Sequence, residues 1–144
     1  MNSKGHKEYI VPFALQILIQ PVIAMEIYAS QKWNNTRVQV SAGETYRFEA
    51  KGEWIDWHNK CGPEGYDSTN FILRSAEKLR RIPSAKWFAL IGLVNQDLAT
   101  AFVISNGVTK TFNQNGILYC FANDVPFMYW NNKGDIQLTI TRIS

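Results

Sequence analysis

The sequence predicts an all-β chain: a small two-layer sandwich of the jelly-roll kind. Three observations carry that prediction. Apolar and polar residues alternate in short runs, with Val38 and Val40 set between Arg37 and Gln39, and Tyr46 and Phe48 between Arg47 and Glu49. Such alternation puts one side of a strand on a core and the other in water. Clusters of turn-forming residues, such as Ser41-Ala42-Gly43-Glu44, separate the runs. One run, Ile117–Ala122, is apolar on both faces, as a central strand is. Short strands between turn signals are the pattern of sandwiches and jelly rolls.

Taken in chain order, residues 1–24 stand apart. Lys4, His6 and Lys7 precede the mostly apolar run Tyr9–Gln20, and Pro21 leads into Val22-Ile23-Ala24. A charged start, a short apolar run and small residues resemble a secretory signal peptide, although Glu8, Pro12, Gln16 and Gln20 interrupt it. The alternative is an N-terminal extension of the fold. The first reading implies a secreted or extracellular protein, the second a cytoplasmic one. The run is too short and interrupted for a membrane-spanning helix. Residues 25–144 read as one domain, with no repeat or linker.

Within that domain, Thr36–Val40 and Thr45–Ala50 read as a hairpin closed by the Ser41–Glu44 turn. Ser75 is positioned to cap a helix over Ala76–Ile82 that Pro83 ends. This segment gathers Arg74, Lys78, Arg80, Arg81 and Lys86, which reads as a solvated face or, alternatively, as a contact for anionic glycans. Phe88–Val94 and Ala101–Ile104 are further strands. Ile117–Ala122 is the central one. Ile136, Leu138 and Ile140 then alternate with Gln137, Thr139 and Thr141 in a half-buried final strand.

Composition narrows the function. A net charge of +3 is too mild for a nucleic-acid footprint. The two cysteines, Cys61 and Cys120, form no zinc-type spacing. They could pair only in an oxidising compartment; Cys120, in a strand, otherwise reads as a small buried hydrophobe. Glu64 and Asp67 are the one close carboxylate pair in a loop. No nucleophile, base and orienter accompany them, so an enzyme is not expected.

The richest segment is Asn123–Gly134, between two strand-like runs. It brings Asn123, Asp124, Asn131 and Asn132 together with Pro126, Gly134 and the aromatic pair Tyr129-Trp130. Hard cations such as calcium take oxygens from carboxylates, side-chain amides and backbone carbonyls. A loop held by strands at both ends supplies all three, and its aromatic edges suggest a sugar as a second ligand. Pro126 fixes φ and stiffens the loop. The competing reading is an ordinary Asn/Asp turn. Trp33 and Trp54 abut strands and read as core. Trp57 and Trp130 read as sugar-stacking or buried rim residues, and His58 as a lone loop histidine.

The order Trp33-Asn34-Asn35-Thr36, Gly52-Glu53-Trp54, Gly62-Pro63-Glu64-Gly65, Ala89-Leu90-Ile91-Gly92 and Asn123–Gly134 resembles the bacterial galactophilic lectins of the PA-I (LecA) type. The resemblance spans about residues 25 to 143. Its most specific part is the pattern Asn-Asp-Val-Pro-x-x-Tyr-x-Asn-Asn-x-Gly, met at every fixed position. It implies a galactose-binding-domain-like jelly roll that binds galactose or galactosides through a bridging calcium ion. The implied metal ligands are the side chains of Asp124, Asn131 and Asn132 and the carbonyls of Trp57 and Met128. The implied sugar contacts are Asp124, Val125 and Asn131. The loop that gives that family a His and a Gln reads Tyr66-Asp67-Ser68-Thr69-Asn70 here, so Asp67, Thr69 or Asn70 would substitute, and Thr69 and Asn70 join the expected sugar contacts. A homo-oligomer, dimer or tetramer, is the implied assembly. The rewritten loop also motivates an alternative, a structural or protein-interaction domain that kept the fold and lost sugar binding.

Overall fold

The computed structural model describes residues 22–144. The signal-peptide reading therefore lies outside the described residues, except that Val22, Ile23 and Ala24 belong to the first strand. Among the described residues nine strands follow in order: β1 (Val22–Tyr28), β2 (Asn34–Val40), β3 (Thr45–Asp56), β4 (Asn59–Cys61), β5 (Leu90–Val94), β6 (Phe102–Val103), β7 (Gly107–Thr111), β8 (Gly116–Ala122) and β9 (Asn132–Arg142). They form the all-β sandwich that the alternation predicts. One sheet runs β1-β9-β3, and both β4 and β7 add to β3. Strand β7 pairs with Thr45–Glu49 and β4 with Trp54–Asp56. The other sheet runs β2-β8-β5-β6. Every pairing is antiparallel.

The core follows from the two-residue period. Tyr46, Phe48 and Trp54 of β3 and Ile136, Leu138 and Ile140 of β9 face inward against Leu90 of β5 and Leu118 and Cys120 of β8. The paired register of β3 and β9 is unbroken from Tyr46↔Arg142 to Asp56↔Asn132. A slip of one residue would turn every one of these side chains outward, so burial itself fixes the register. Gly134 adopts φ +85, and a Cβ there would lie 3.2 Å from the Trp54 backbone, so glycine alone fits the approach.

Strands β5 and β8 are apolar on both faces because both faces are covered. The outer side of their sheet carries a second cluster of Ile91, Leu93 and Phe121 under Ala85, Ala89, Ile82 and Trp33. This is the physical basis of the unbroken apolar run that marks Ile117–Ala122 as central.

Three expectations are corrected. Strands β2 and β3 are not a hairpin: β2 pairs with β8 and β3 with β9, so the Ser41–Glu44 turn crosses between sheets. The turn is closed instead by Ser41 N–H on Glu44 Oε1 and by Gly43 N–H on the Phe112 carbonyl. The helix lies upstream, as α1 (Phe71–Ser75), because Asn70 caps it through Oδ1 on Leu73 N–H at 2.8 Å. A short 3-10 turn, Glu77–Leu79, follows. The basic segment is not wholly solvated. Arg81 is buried, its guanidinium carbon 3.5 Å from the Phe121 ring centroid and 4.3 Å from that of Trp33, and it donates to the Lys32 carbonyl and Tyr129 Oη. Aromatic faces replace a carboxylate as its counter-charge. Arg80 packs likewise over Trp87. Both cysteines are free and sit on different sheets; burial, with Asp56 nearby, pushes the Cys61 thiol up to about 12.

Candidate functional site

The loop between β8 and β9 closes one end of the sandwich. Tyr129 holds it down: its hydroxyl donates to the Ala122 carbonyl and accepts from Arg81. The adjacent Asn123 is fully buried. Its Oδ1 accepts from Ile82 N–H, and its amide donates to the carbonyls of Ile82, Ala85 and Lys86. Of the three amides in this segment, Asn123 is therefore structural, a clamp between β8 and residues 82–86.

Asp124, Asn131 and Asn132 are brought together. Asp124 is 3% exposed and Asn132 is 4% exposed. Asn132 donates its amide to Asp124 Oδ2 at 3.0 Å and to the Ala29 carbonyl at 3.1 Å, while Asp124 Oδ1 accepts Val125 N–H. These bonds orient the Asn132 amide so that its Oδ1 has no donor. The Oδ1 of Asn131 is also buried without a partner. An orphaned buried carbonyl oxygen costs on the order of 1–3 kcal/mol. With the Asp124 carboxylate, which Asn132 bonds and whose cavity Asn131 lines, these two oxygens form an all-oxygen set, the chemistry a hard cation takes. The residues thus fit a calcium ion.

The same end opens into a cavity of about 440 Å³. Asp124, Val125, Met128, Asn131 and Trp57, all expected site residues, line it, as does Asn70. Thr69 is exposed and does not line it. Asn70 spends its Oδ1 on capping α1. Asp67 points instead to Lys86, 3.8 Å away. Trp130 is 77% exposed, outside the lining, and His58 stacks on Trp57 at 4.3 Å between ring centroids. Ile72, Leu73, Ala76, Leu79 and Phe127 give the cavity an apolar wall.

Asp56 is the residue the motif reading missed. It lines the cavity and accepts a hydrogen bond from Tyr66 Oη. A signal for it was present: Tyr46, Phe48, Ala50 and Trp54 mark the inward phase of β3, and Asp56 falls on that phase. Burial, and next the Asp56 charge, raise the Asp124 carboxyl from its ordinary 3.8 to about 7. Burial likewise raises Asp56, against the lowering effect of the Tyr66 hydroxyl. Among the described residues no three His, Cys, Asp or Glu side chains converge. A cation here must therefore draw on amides and carbonyls as well.

Trp57 occupies the turn from β3 to β4 with φ 57, a left-handed conformation that costs a bulky residue about 1–3 kcal/mol. Its N–H reaches the Asn131 carbonyl at 3.2 Å, which ties this turn to the loop. Trp57→Asn should relieve the strain, raising stability by roughly 0.5–1 kcal/mol in chemical denaturation, since Asn tolerates this region. An unchanged or lowered stability would show that the left-handed turn carries no such strain.

No protein-family model matches the chain, and no curated protein matches it. Among solved structures it is similar to one titled "EclA N-terminal domain; PllA-like lectin", with a TM-score of 0.64 and 17% identity over 84% of this chain and 97% of that one. The chain thus has the β-sandwich fold of a lectin domain. The resemblance to the PA-I type is a narrower statement than this likeness, which at such identity speaks for the fold. Among the described residues no helix is long and apolar enough to cross a membrane.

Proposed function

We propose that this protein is a calcium-dependent carbohydrate-binding lectin for galactose or galactosides, without catalysis. The observation that supports it best is the orphaned pair of oxygens, Oδ1 of Asn131 and of Asn132, beside the buried carboxylate of Asp124. Asp124, Asn131 and Asn132 would hold the ion with side-chain oxygens, and Trp57 and Met128 with carbonyls. A bound ion supplies open coordination positions that vicinal sugar hydroxyls fill. Asp124 and Asn131 orient those hydroxyls by accepting charge-assisted and neutral hydrogen bonds. Val125 and Asn70 border the same cavity, and Thr69 lies beside Asn70. Single lectin sites gain strength from multivalent display, which the homo-oligomer expected from the resemblance would provide.

Calorimetry with methyl galactoside, with and without a chelator, tests this reading. Binding that vanishes on chelation is the expected result. Calcium-independent binding, or none, would overturn it, and turnover of a nitrophenyl galactoside would reassign the carboxylates to acid–base work. The apolar wall favours one second reading, a protein-interaction domain, since Ile72 and Phe127 are more than two-thirds exposed. A blank glycan array together with capture of an apolar peptide would favour that reading.

A further inference from the structure

We infer that Asp56 is a second carboxylate ligand of the cation site, placed there by strand register and held by Tyr66. The inference rests on the calcium-lectin reading above. Asp56 of β3 lies directly opposite Asn132 of β9. Residues opposite one another in an antiparallel pair project to the same face, with Cβ atoms about 5 Å apart. Asn132 in turn hydrogen-bonds Asp124 Oδ2. The register thus assembles Asp56, Asn132 and Asp124 at one end of the core, where the apolar phase of β3 would otherwise continue.

Two facts support a cation at this cluster. First, among the described residues the ion pairs are Arg47–Glu49, Lys86–Asp67 and Arg142–Glu44, and none reaches Asp56 or Asp124. Two carboxylates in one cavity, without a counter-charge, repel and pay for desolvation. Second, and independently, Asn132 is 4% exposed with an unpartnered Oδ1, and the Oδ1 of Asn131, which lines the cavity shared by Asp56 and Asp124, is unpartnered too. Lone pairs left without N–H donors suit a metal ion. Tyr66 acts as a positioning residue. It donates to Asp56 Oδ2 only, and Oδ1 has no hydrogen-bond partner among the described residues. Calcium affinity scales with the number of charged ligands. A site with two carboxylates should therefore bind more tightly than the single carboxylate of the β8–β9 loop implies.

The test is calcium titration by calorimetry on the full chain, without sugar, for wild type, Asp56→Asn and Tyr66→Phe. Asp56→Asn should weaken calcium binding about tenfold or more, and Tyr66→Phe by a few-fold. A second readout is the tyrosine ultraviolet difference signal on adding calcium. It should appear in wild type and disappear in both variants, which loss of fold alone, checked by circular dichroism, would not explain. Wild-type binding with an unchanged Asp56→Asn affinity would overturn this inference and leave the lectin reading intact. A loss of galactoside affinity at unchanged calcium affinity would move Asp56 to the sugar and overturn the ligand role. Absence of calcium binding in wild type would overturn the reading beneath both.

Discussion

Replacing Asp124 with asparagine should abolish calcium and galactoside binding together, by at least about 100-fold, and flatten the pH dependence of stability. Both effects have one cause. Burial and the neighbouring Asp56 hold the Asp124 carboxyl at about 7 rather than at its ordinary 3.8. A carboxyl raised in the folded state binds its proton more tightly there than in the unfolded chain. Its contribution is therefore fully present below pH 3.8 and is lost as pH rises to about 7. For a shift of this size the loss is on the order of 4 kcal/mol. In chelator, the wild-type melting temperature should fall by several degrees between pH 5 and pH 8, and saturating calcium should restore it at pH 8. The asparagine variant should show neither the fall nor the rescue. Equal calcium rescue in both proteins would refute the assignment of Asp124.

Asn123→Ala should be the most damaging change in the same loop, although Asn123 is assigned no ligand. Its fully buried side chain makes four hydrogen bonds to residues 82–86. Truncation strands the Ile82 N–H and the Ala85 carbonyl and takes one of two donors from each of the Ile82 and Lys86 carbonyls, for about 3–5 kcal/mol of stability by urea denaturation. Calcium affinity of the remaining folded fraction should change far less than in Asp124→Asn. That split between stability and affinity separates the clamp from the site, and a matched loss in both would erase the distinction.

These two neighbours show what the sequence could and could not yield. The strands were legible wherever one face met the core, because the alternation of Val38 and Val40, or of Ile136, Leu138 and Ile140, is a direct imprint of burial. Their pairing was not. A turn such as Ser41–Glu44 looks the same whether it closes a hairpin or crosses between sheets. The helix was misplaced because Asn70 and Ser75 are both competent caps, and only the tertiary setting selects Asn70. Arg80 and Arg81 carried no mark of burial, since the rings that shelter Arg81 come from positions as far apart as Trp33, Phe121 and Tyr129. The site motif brought out Asp124, Asn131 and Asn132 because they fall close together in one segment. Asp56 lies about seventy residues away from them and is joined only through β-pairing.

Strand β9 has a kinetic consequence. It lies between β1 and β3, although it follows both in sequence. Val22 pairs with Thr141, so β1 finds its partner only across most of the domain. Chains dominated by such distant pairings fold slowly, because closing large loops precedes any reward. Asp56 and Asn132 are the final rung of the ladder that β9 makes with β3 on its other side. The oxygen cluster therefore cannot exist in a partly made sheet: a nascent or proteolysed chain lacking β9 has Asp56 but no site. On the proposed calcium reading, the ion would act late, by slowing the unzipping of a finished fold rather than by nucleating a new one.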